Sequence, residues 1–375
     1  MSVLETPVSV EDPINAAILR ISEDRIAGFL RDPLAAIAEQ SGIDLPTTIE
    51  RIRAMLASGT IRRVRQTLLA TNLAHGSLVA WQIPAEKLDA AFEYMSKVDP
   101  FSGHVVIRTA DAATPGSQYR LWTTLKVPQG YAIAKHAEFL REHVGADAFR
   151  LMPAEKLFAL GVGHIRRRGM EVGSRADVLA DTIHTNIVEL SERDWRVLVT
   201  LKREFEVDEL VPHLWEARAR EAGVSVDEFY AVAESLAERR VIGRFSTFLE
   251  HVKATPGNER VTRYNALFHW QVPVGREIEA GREVGRHHIM THAYWREGGP
   301  EFRNVNIMGV AHGLDKDVLL AHKAAIDEHL REAGFDVGYT NVFWGGRSEI
   351  KPSEISPFAY AEFHRARGVD PETLR

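Results

Sequence analysis

A repeat about half the chain long constrains this sequence more than any other feature, because a duplicated unit must build its architecture twice. The first copy reads GTIRRVRQTLL and then SLVAWQIP, ending at Pro84. The second reads RRVIGRFSTFL and then ALFHWQVP, ending at Pro273. Arg63 matches Arg244, Trp81 matches Trp270, and Gln82 matches Gln271. Further on, GHVVIR (103–108) corresponds to THAYWR (291–296), and each carries His-x-x-x-Arg. The shared segments fall in the same order in both halves, which chance similarity of isolated strands does not produce.

Each half opens with a helix, turn, helix, wing pattern. Residues 33–42 read as a short helix stopped by Gly42. In residues 46–58, Ile49, Ile52 and Leu56 lie on one helical face. The basic stretch IRRVRQTLLA follows as a wing. The second half repeats the pattern with HLWEARAREAG and VDEFYAVAESLAERR, where Phe229, Val232 and Leu236 have the same spacing. After each wing the order is β-α-β-β-α-β. In SLVAWQIP, Val79, Trp81 and Ile83 alternate onto one face, as a half-buried strand requires. A helix, the strand HVVIR, a second strand, a helix at about 131–144 and a closing strand at about 149–160 complete the first α/β part. The second follows at 265–272, 275–286, 289–297, 303–311, 316–333 and 338–345. The expected class is α+β, a tandem duplication of a winged helix plus a ferredoxin-like domain. The expected boundaries are 12–70 and 190–250 for the winged helices, 75–165 and 262–346 for the α/β domains, and 347–375 for a tail. A polar linker at roughly 165–190 contains the basic run Arg166, Arg167, Arg168, and the loop 250–264 is longer than its counterpart.

Composition narrows the chemistry. There is no cysteine among the 375 residues, so disulfides, thiolate metal sites and thiol nucleophiles are excluded. The opening MSVLETPVSVEDP is acidic and interrupted by proline, unlike a signal or transit peptide. No apolar run approaches the roughly 20 residues that cross a bilayer, so a cytoplasmic location and no membrane partner are expected. The net charge of −6 argues against nucleic acid as a partner, since phosphate neutralisation supplies most of such affinity. There is no HExxH, GxGxxG or P-loop.

The repeated His-x-x-x-Arg carries the most chemistry. On a strand, residues i and i+4 face the same way about 13 Å apart. His104, Val106 and Arg108 therefore share a face, as do His292, Tyr294 and Arg296. An imidazole and a guanidinium on one surface suit a ligand with several carboxylates, because arginine binds carboxylate bidentately and histidine moves protons near neutral pH. Arg63 and Arg244, at the start of the wings, are candidate anion contacts. Asn306 and His312, on or near the strand NVNIMGVAHG, are candidate pocket residues. Trp81, Trp270, Trp295 and Tyr294 could give flat apolar contact.

These motifs together, G-x-I-x-R, VAWQIP and FHWQVP, HAYWR, and a strand ending in MGVAHG, resemble the siroheme decarboxylases of the wider Lrp/AsnC-like superfamily, some of which fuse two related subunits. The resemblance spans about 12–345. It implies removal of carboxyl groups from the acetate arms of siroheme, on the route to alternative heme or heme d1, with no external redox cofactor. The iron tetrapyrrole, siroheme or heme, would be substrate or ligand. By motif position, His292 and Arg296 match the family's His/Arg strand with His104 and Arg108 as counterparts, Arg244 and Arg63 match the wing arginine, and His292 is a candidate axial ligand of the iron. HVVIR lacks the aromatic of the pattern, EFRNVN departs from the usual approach to the third strand, and the 250–264 loop is an insertion. Two other readings stand beside this one: an Lrp/AsnC-type regulator sensing a small molecule, and a heme-binding protein without turnover. Pairing of exposed sheets into a homodimer is left open.

Overall fold

The computed structural model describes residues 6–69, 72–161, 167, 169–183, 187–250 and 261–375. Most of the long loop, 251–260, and Arg166 and Arg168 of the basic run lie outside the described residues. In chain order, the first winged-helix segment holds α1 (Pro13–Ser22), β1 (Ile26–Ala27), α2 (Pro33–Ser41), α3 (Leu45–Ala57) and β2 (Ile61–Leu68). The first α/β segment holds β3 (Ala74–Gln82), α4 (Leu88–Glu93), β4 (Ser102–Thr109), β5 (Tyr119–Pro128), α5 (Ile133–Val144), β6 (Ala148–Pro153) and β7 (Lys156–Leu160). The second winged-helix segment holds α6 (Glu192–Leu201), α7 (Trp215–Ala222), α8 (Val226–Glu238) and β8 (Ile242–Leu249). The second α/β segment holds β9 (Tyr264–Gln271), α9 (Glu277–Gly285), β10 (Met290–Trp295), β11 (Ile307–Gly313), α10 (Lys316–Glu332) and β12 (Tyr339–Ile350), and α11 (Pro357–Arg365) follows.

The chain forms two compact units. The first gathers both winged-helix segments. Its caps explain the short helices. Asp32 accepts a hydrogen bond from the Ala35 amide, Pro33 occupies the first turn, and α2 ends at Gly42 with φ 73°. The second copy matches: α7 ends at Gly223 with φ 69° and Ser225 caps α8. Neither wing is closed on itself. β2 pairs antiparallel with β8, so the two segments share one three-stranded sheet.

The second unit is built on a nine-stranded sheet in the order β6-β3-β5-β4-β12-β9-β11-β10-β7. The first four strands and the next four each have the ferredoxin-like order, with the closing strand beside the first. The closing strand of each half does two jobs. β12 pairs with β9 in its own half from Tyr339 through Gly345 and with β4 of the other half from Trp344 to Ile350, with a register shift between Gly345 and Ser348. β6 pairs with β3, and β7, three residues on, pairs with β10. The single strand expected at 149–160 is thus two strands, broken after Pro153, which has no amide hydrogen to continue a ladder. The third strand of the second half, expected from 303, starts at Ile307, because Pro300–Phe302 form a 3₁₀ turn and Arg303 and Asn304 have φ of 55° and 53°. β12 runs on to Ile350, past the end of the apolar pattern.

Side-chain alternation divides the unit into three cores. Helices of the first half cover Val79, Trp81, Val105, Leu121 and Leu125, joined by Tyr360 of α11. Helices of the second half cover Ala266, Phe268, Trp270, Met290 and Ala293. The other face of the sheet, here the inner face, packs Ala80, Val106, Trp122 and Met152 of one half against Leu267, Met308, Phe343 and Phe302 of the other. One face of each half is therefore spent on the opposite half. No helix among the described residues is long and apolar enough to cross a membrane.

Candidate functional site

Alternation in β4 sends Val105 and Ile107 to the helix-side core and Val106 to the inner face. His104 and Arg108 follow Val106. His104 Nε2 lies 2.7 Å from the hydroxyl of Ser348, on the far end of β12. Arg108 is only 4% exposed. Its Nη1 donates to Asn265 Oδ1 at 3.2 Å and to the Phe343 carbonyl at 3.4 Å, and its Nε is buried without a partner. Burial lowers this guanidinium to a pKa of about 9. Both acceptors are neutral, so no carboxylate among the described residues offsets the charge.

In β10, Met290, Ala293 and Trp295 face the helices, while His292 and Tyr294 face inward with rings 6.0 Å apart and 12° from parallel. Arg296 continues the row, with its guanidinium 4.3 Å from the Tyr294 ring. It is 8% exposed and donates to the Met152 carbonyl, and burial lowers its pKa. Again the partners are an aromatic ring and a carbonyl.

A register shift between Met290 and His292 leaves Thr291 as the extra residue of a bulge. The bulge links the two halves. Thr291 Oγ1 donates to the Val310 carbonyl at 2.9 Å, and it lies 3.2 Å from His292 Nδ1 and 3.3 Å from His312 Nδ1. Since the threonine hydrogen is committed to Val310, both imidazoles must donate through Nδ1. His312 Nε2 then accepts from the Asn265 amide at 3.0 Å, whose Oδ1 takes the Arg108 hydrogen bond. One chain of hydrogen bonds runs from Arg108 in the first half to His292 in the second.

Contacts therefore link Arg108, His312, His292, Tyr294 and Arg296 in one series, whereas His104 shares their face of the sheet and meets Ser348 instead. Four expectations are corrected, those for Trp81, Trp270, Trp295 and Asn306. Trp270 is fully buried on the helix side, where its indole nitrogen donates to Asp327 Oδ1 at 2.6 Å and Lys323 covers its ring. Alternation puts it with Phe268 and away from Asn265 and His269, so it cannot lie against a ligand on the inner face. Trp81 is the counterpart, bonded to Thr123 in the other helix-side core. Asn306 is a structural clamp: its side chain accepts from the Val272 amide at 2.8 Å and donates to the Val272 carbonyl and Glu277. Trp295 also belongs to the helix side, with its nitrogen on Glu297. Arg63 and Arg244 belong to the first unit. There Arg63 pairs with Glu204 at 3.2 Å and Arg244 donates to the Glu23 carbonyl at 3.3 Å.

Sequence reasoning missed Asn265, Thr291 and His269. His269 is buried between Arg108 and the rings of Phe343, Trp122 and Phe302. Burial first, then the charges of Arg108 and Lys323, lower its pKa to about 3, so it is neutral. The signal was available in β9, where Asn265, Leu267 and His269 alternate against Ala266, Phe268 and Trp270. No group of three or more His, Asp or Glu placed to hold a metal occurs among the described residues.

Residues 73–159 match the family of AsnC-like ligand binding domains. The chain is 23% identical over 302 residues to a siroheme decarboxylase of Hydrogenobacter thermophilus, covering 80% of this chain and 83% of that protein. It is 29% identical over 115 residues to the siroheme decarboxylase beta subunit of Desulfovibrio desulfuricans, covering 30% of this chain and 70% of that one. The crystal structure of the siroheme decarboxylase NirDL superposes with a TM-score of 0.65 at 18% identity, covering 95% of this chain and 100% of that one. The same protein in complex with an iron-uroporphyrin III analogue gives 0.63. The chain thus carries an AsnC-like ligand-binding domain and is a homologue of the siroheme decarboxylases in sequence and fold.

Proposed function

We propose that this protein is a carboxy-lyase of the siroheme-decarboxylase type, removing carboxyl groups from the acetate arms of siroheme on the route to alternative heme or heme d1. One observation carries the reading: two buried guanidinium groups, Arg108 and Arg296, with no carboxylate partner, share a face with two imidazoles. Charges taken out of water without a counter-ion are costly in the empty protein. A polycarboxylate ligand supplies the missing partners.

The chemistry balances without an oxidant. Cleavage of the bond between the acetate methylene and its carboxylate releases carbon dioxide and leaves the electron pair on the methylene carbon, delocalised into the macrocycle. One proton then completes a methyl group. In this reading Arg108 and Arg296 hold carboxylates that do not react, and His292 delivers the proton. The Thr291 contact keeps a hydrogen on Nδ1, so His292 would act as the acid from its doubly protonated form, with the transferred proton on Nε2. In the alternative role of iron ligand, the neutral ring would bind through Nε2 and the proton would have to come from another group. His104, Tyr294 and His312 complete the lining, and Arg63 and Arg244 are candidate anion contacts within the first unit. The reading places the protein in the cytoplasm, where cell fractionation would find it.

The test is anaerobic incubation with siroheme followed by mass spectrometry. A loss of about 44 mass units per carboxyl is expected from the decarboxylation chemistry. A changed visible spectrum with no mass loss would make the protein a passive tetrapyrrole binder. The AsnC-like match favours one second reading, a ligand-sensing regulator. A salt-sensitive shift of a DNA fragment without siroheme binding would establish it, against the net charge of −6.

A further inference from the structure

The mechanism above uses the cations of β4 and β10, yet a further one stands on β5. Alternation there sends Leu121, Leu125 and Val127 to the helix-side core and Trp122 to the inner face. Lys126, four residues after Trp122, shares that inner face. Its strand partner is Gly76 of β3. A Cβ built on Gly76 would stand 3.3 Å from the Lys126 ammonium nitrogen and 3.6 Å from its Cγ. The glycine therefore leaves the strip of β3 on which the lysine stem lies, and the ammonium is held back over the sheet.

The neighbouring residue leads to Arg296. The Ser77 hydroxyl accepts from the Met152 amide at 2.9 Å, and the Met152 carbonyl accepts from Arg296. Lys126 and Arg296 thus converge on the same stretch of β3 and β6. They are close enough to repel: burial, and then the Arg296 charge, lower the Lys126 pKa to about 8. The lysine ion pairs among the described residues involve Lys97, Lys316 and Lys323, and none involves Lys126. Two neighbouring cations on an inner face, neither in an ion pair among the described residues, are unfavourable until an anion arrives.

We propose that Lys126 and Arg296 form a carboxylate-binding pair that takes one acidic arm of the substrate, with Gly76 as the residue that makes room for the lysine. Arginine supplies a planar fork and lysine a compact third donor, so together they can surround one carboxylate. The inference rests on the tetrapyrrole reading and assigns it a binding residue that the His-x-x-x-Arg motif does not contain.

The test is an anaerobic titration of the full chain with siroheme, followed by the visible spectrum and therefore independent of turnover. Lys126→Gln should raise the Kd at least about tenfold, and Lys126→Arg should restore most of it. A folded Lys126→Gln protein that binds siroheme as tightly as the parent overturns the pair and leaves the tetrapyrrole reading intact. A parent protein that does not bind siroheme overturns both. Should Lys126→Gln not fold, reductive methylation of the parent protein decides. Bound siroheme should protect Lys126 from the reagent, and full modification of Lys126 in the saturated protein overturns the assignment.

Discussion

Strands β4 and β10 descend from one pattern and have been settled differently. Each presents an imidazole and, four residues on, a guanidinium to the inner face. In β4 the residue between them is Val106, which joins the shared apolar core, so Arg108 reaches across to Asn265 and the Phe343 carbonyl of the other half. In β10 the intervening residue is Tyr294, which stacks on His292 and carries Arg296 on its ring. His104 rests on a serine hydroxyl, whereas His292 is tied through Thr291, His312 and Asn265 back to Arg108. The duplication kept the cations and let their neighbours diverge. The two strands are not independent, because a series of hydrogen bonds runs from the arginine of one copy to the histidine of the other.

The largest effect expected is on turnover. His292→Ala should lower kcat by about a hundredfold to ten thousandfold, the range for loss of a positioned proton donor. His104→Ala should cost no more than about tenfold, as for one lost hydrogen bond. Single-turnover kinetics with siroheme would check this, and equal losses would mean that the two halves act alike. Next come the arginines. Arg108→Met and Arg296→Ala should each weaken siroheme binding by about ten- to a hundredfold. They should part company in stability. Arg108→Met removes a buried charge without a counter-ion, so the empty protein should melt a few degrees higher. Arg296→Ala strips the Tyr294 ring of its cation and should give no such gain. A lower Tm for Arg108→Met would break the contrast.

A smaller effect is expected on the pH dependence of stability. The imidazole of His269 is held near pKa 3 by burial, against an ordinary 6.5. The unfolded chain takes up a proton below 6.5 that the folded chain refuses, so stability is complete above that pH and falls as the pH drops toward 3. His287, lowered to about 3, and His364, lowered to about 4, act in the same direction. His269→Phe should therefore narrow the gap in Tm between pH 7 and pH 5 by a few degrees. An unchanged gap would show that the folded protein does not hold His269 neutral below its ordinary pKa.

The fold was legible because it rests on local signals that occur twice: the helix stops at Gly42 and Gly223, the alternation around Trp81 and Trp270, and the order of the α/β elements. The face carrying His104, Arg108, His292 and Arg296 followed from alternation alone. The partners did not, because they come from strands far apart in the chain. Arg108 and Asn265 are 157 residues apart, and no periodicity joins them. Trp270 and Asn306 were misjudged for a related reason. Alternation separates a strand's two faces without saying which one meets helices, and a tryptophan or asparagine suits either a ligand or a core. Thr291 was hidden by its bulge, since strict alternation points it away from His292.

The finest test of the comparison converts one strand into the other. Tyr294→Val gives β10 the aliphatic residue that β4 has at Val106. Two contacts disappear: the stacking on His292 and the cation–π support of Arg296. A half-buried contact of the second kind is worth about 1 kcal/mol, so siroheme affinity should fall by about fivefold. The hydrogen bond from His292 to Thr291 survives, so kcat should change less than affinity does. If kcat instead collapses toward the level of His292→Ala, the tyrosine itself touches the reacting arm. The aromatic would then be what made the second strand the working one, with the Thr291 bulge subordinate to it.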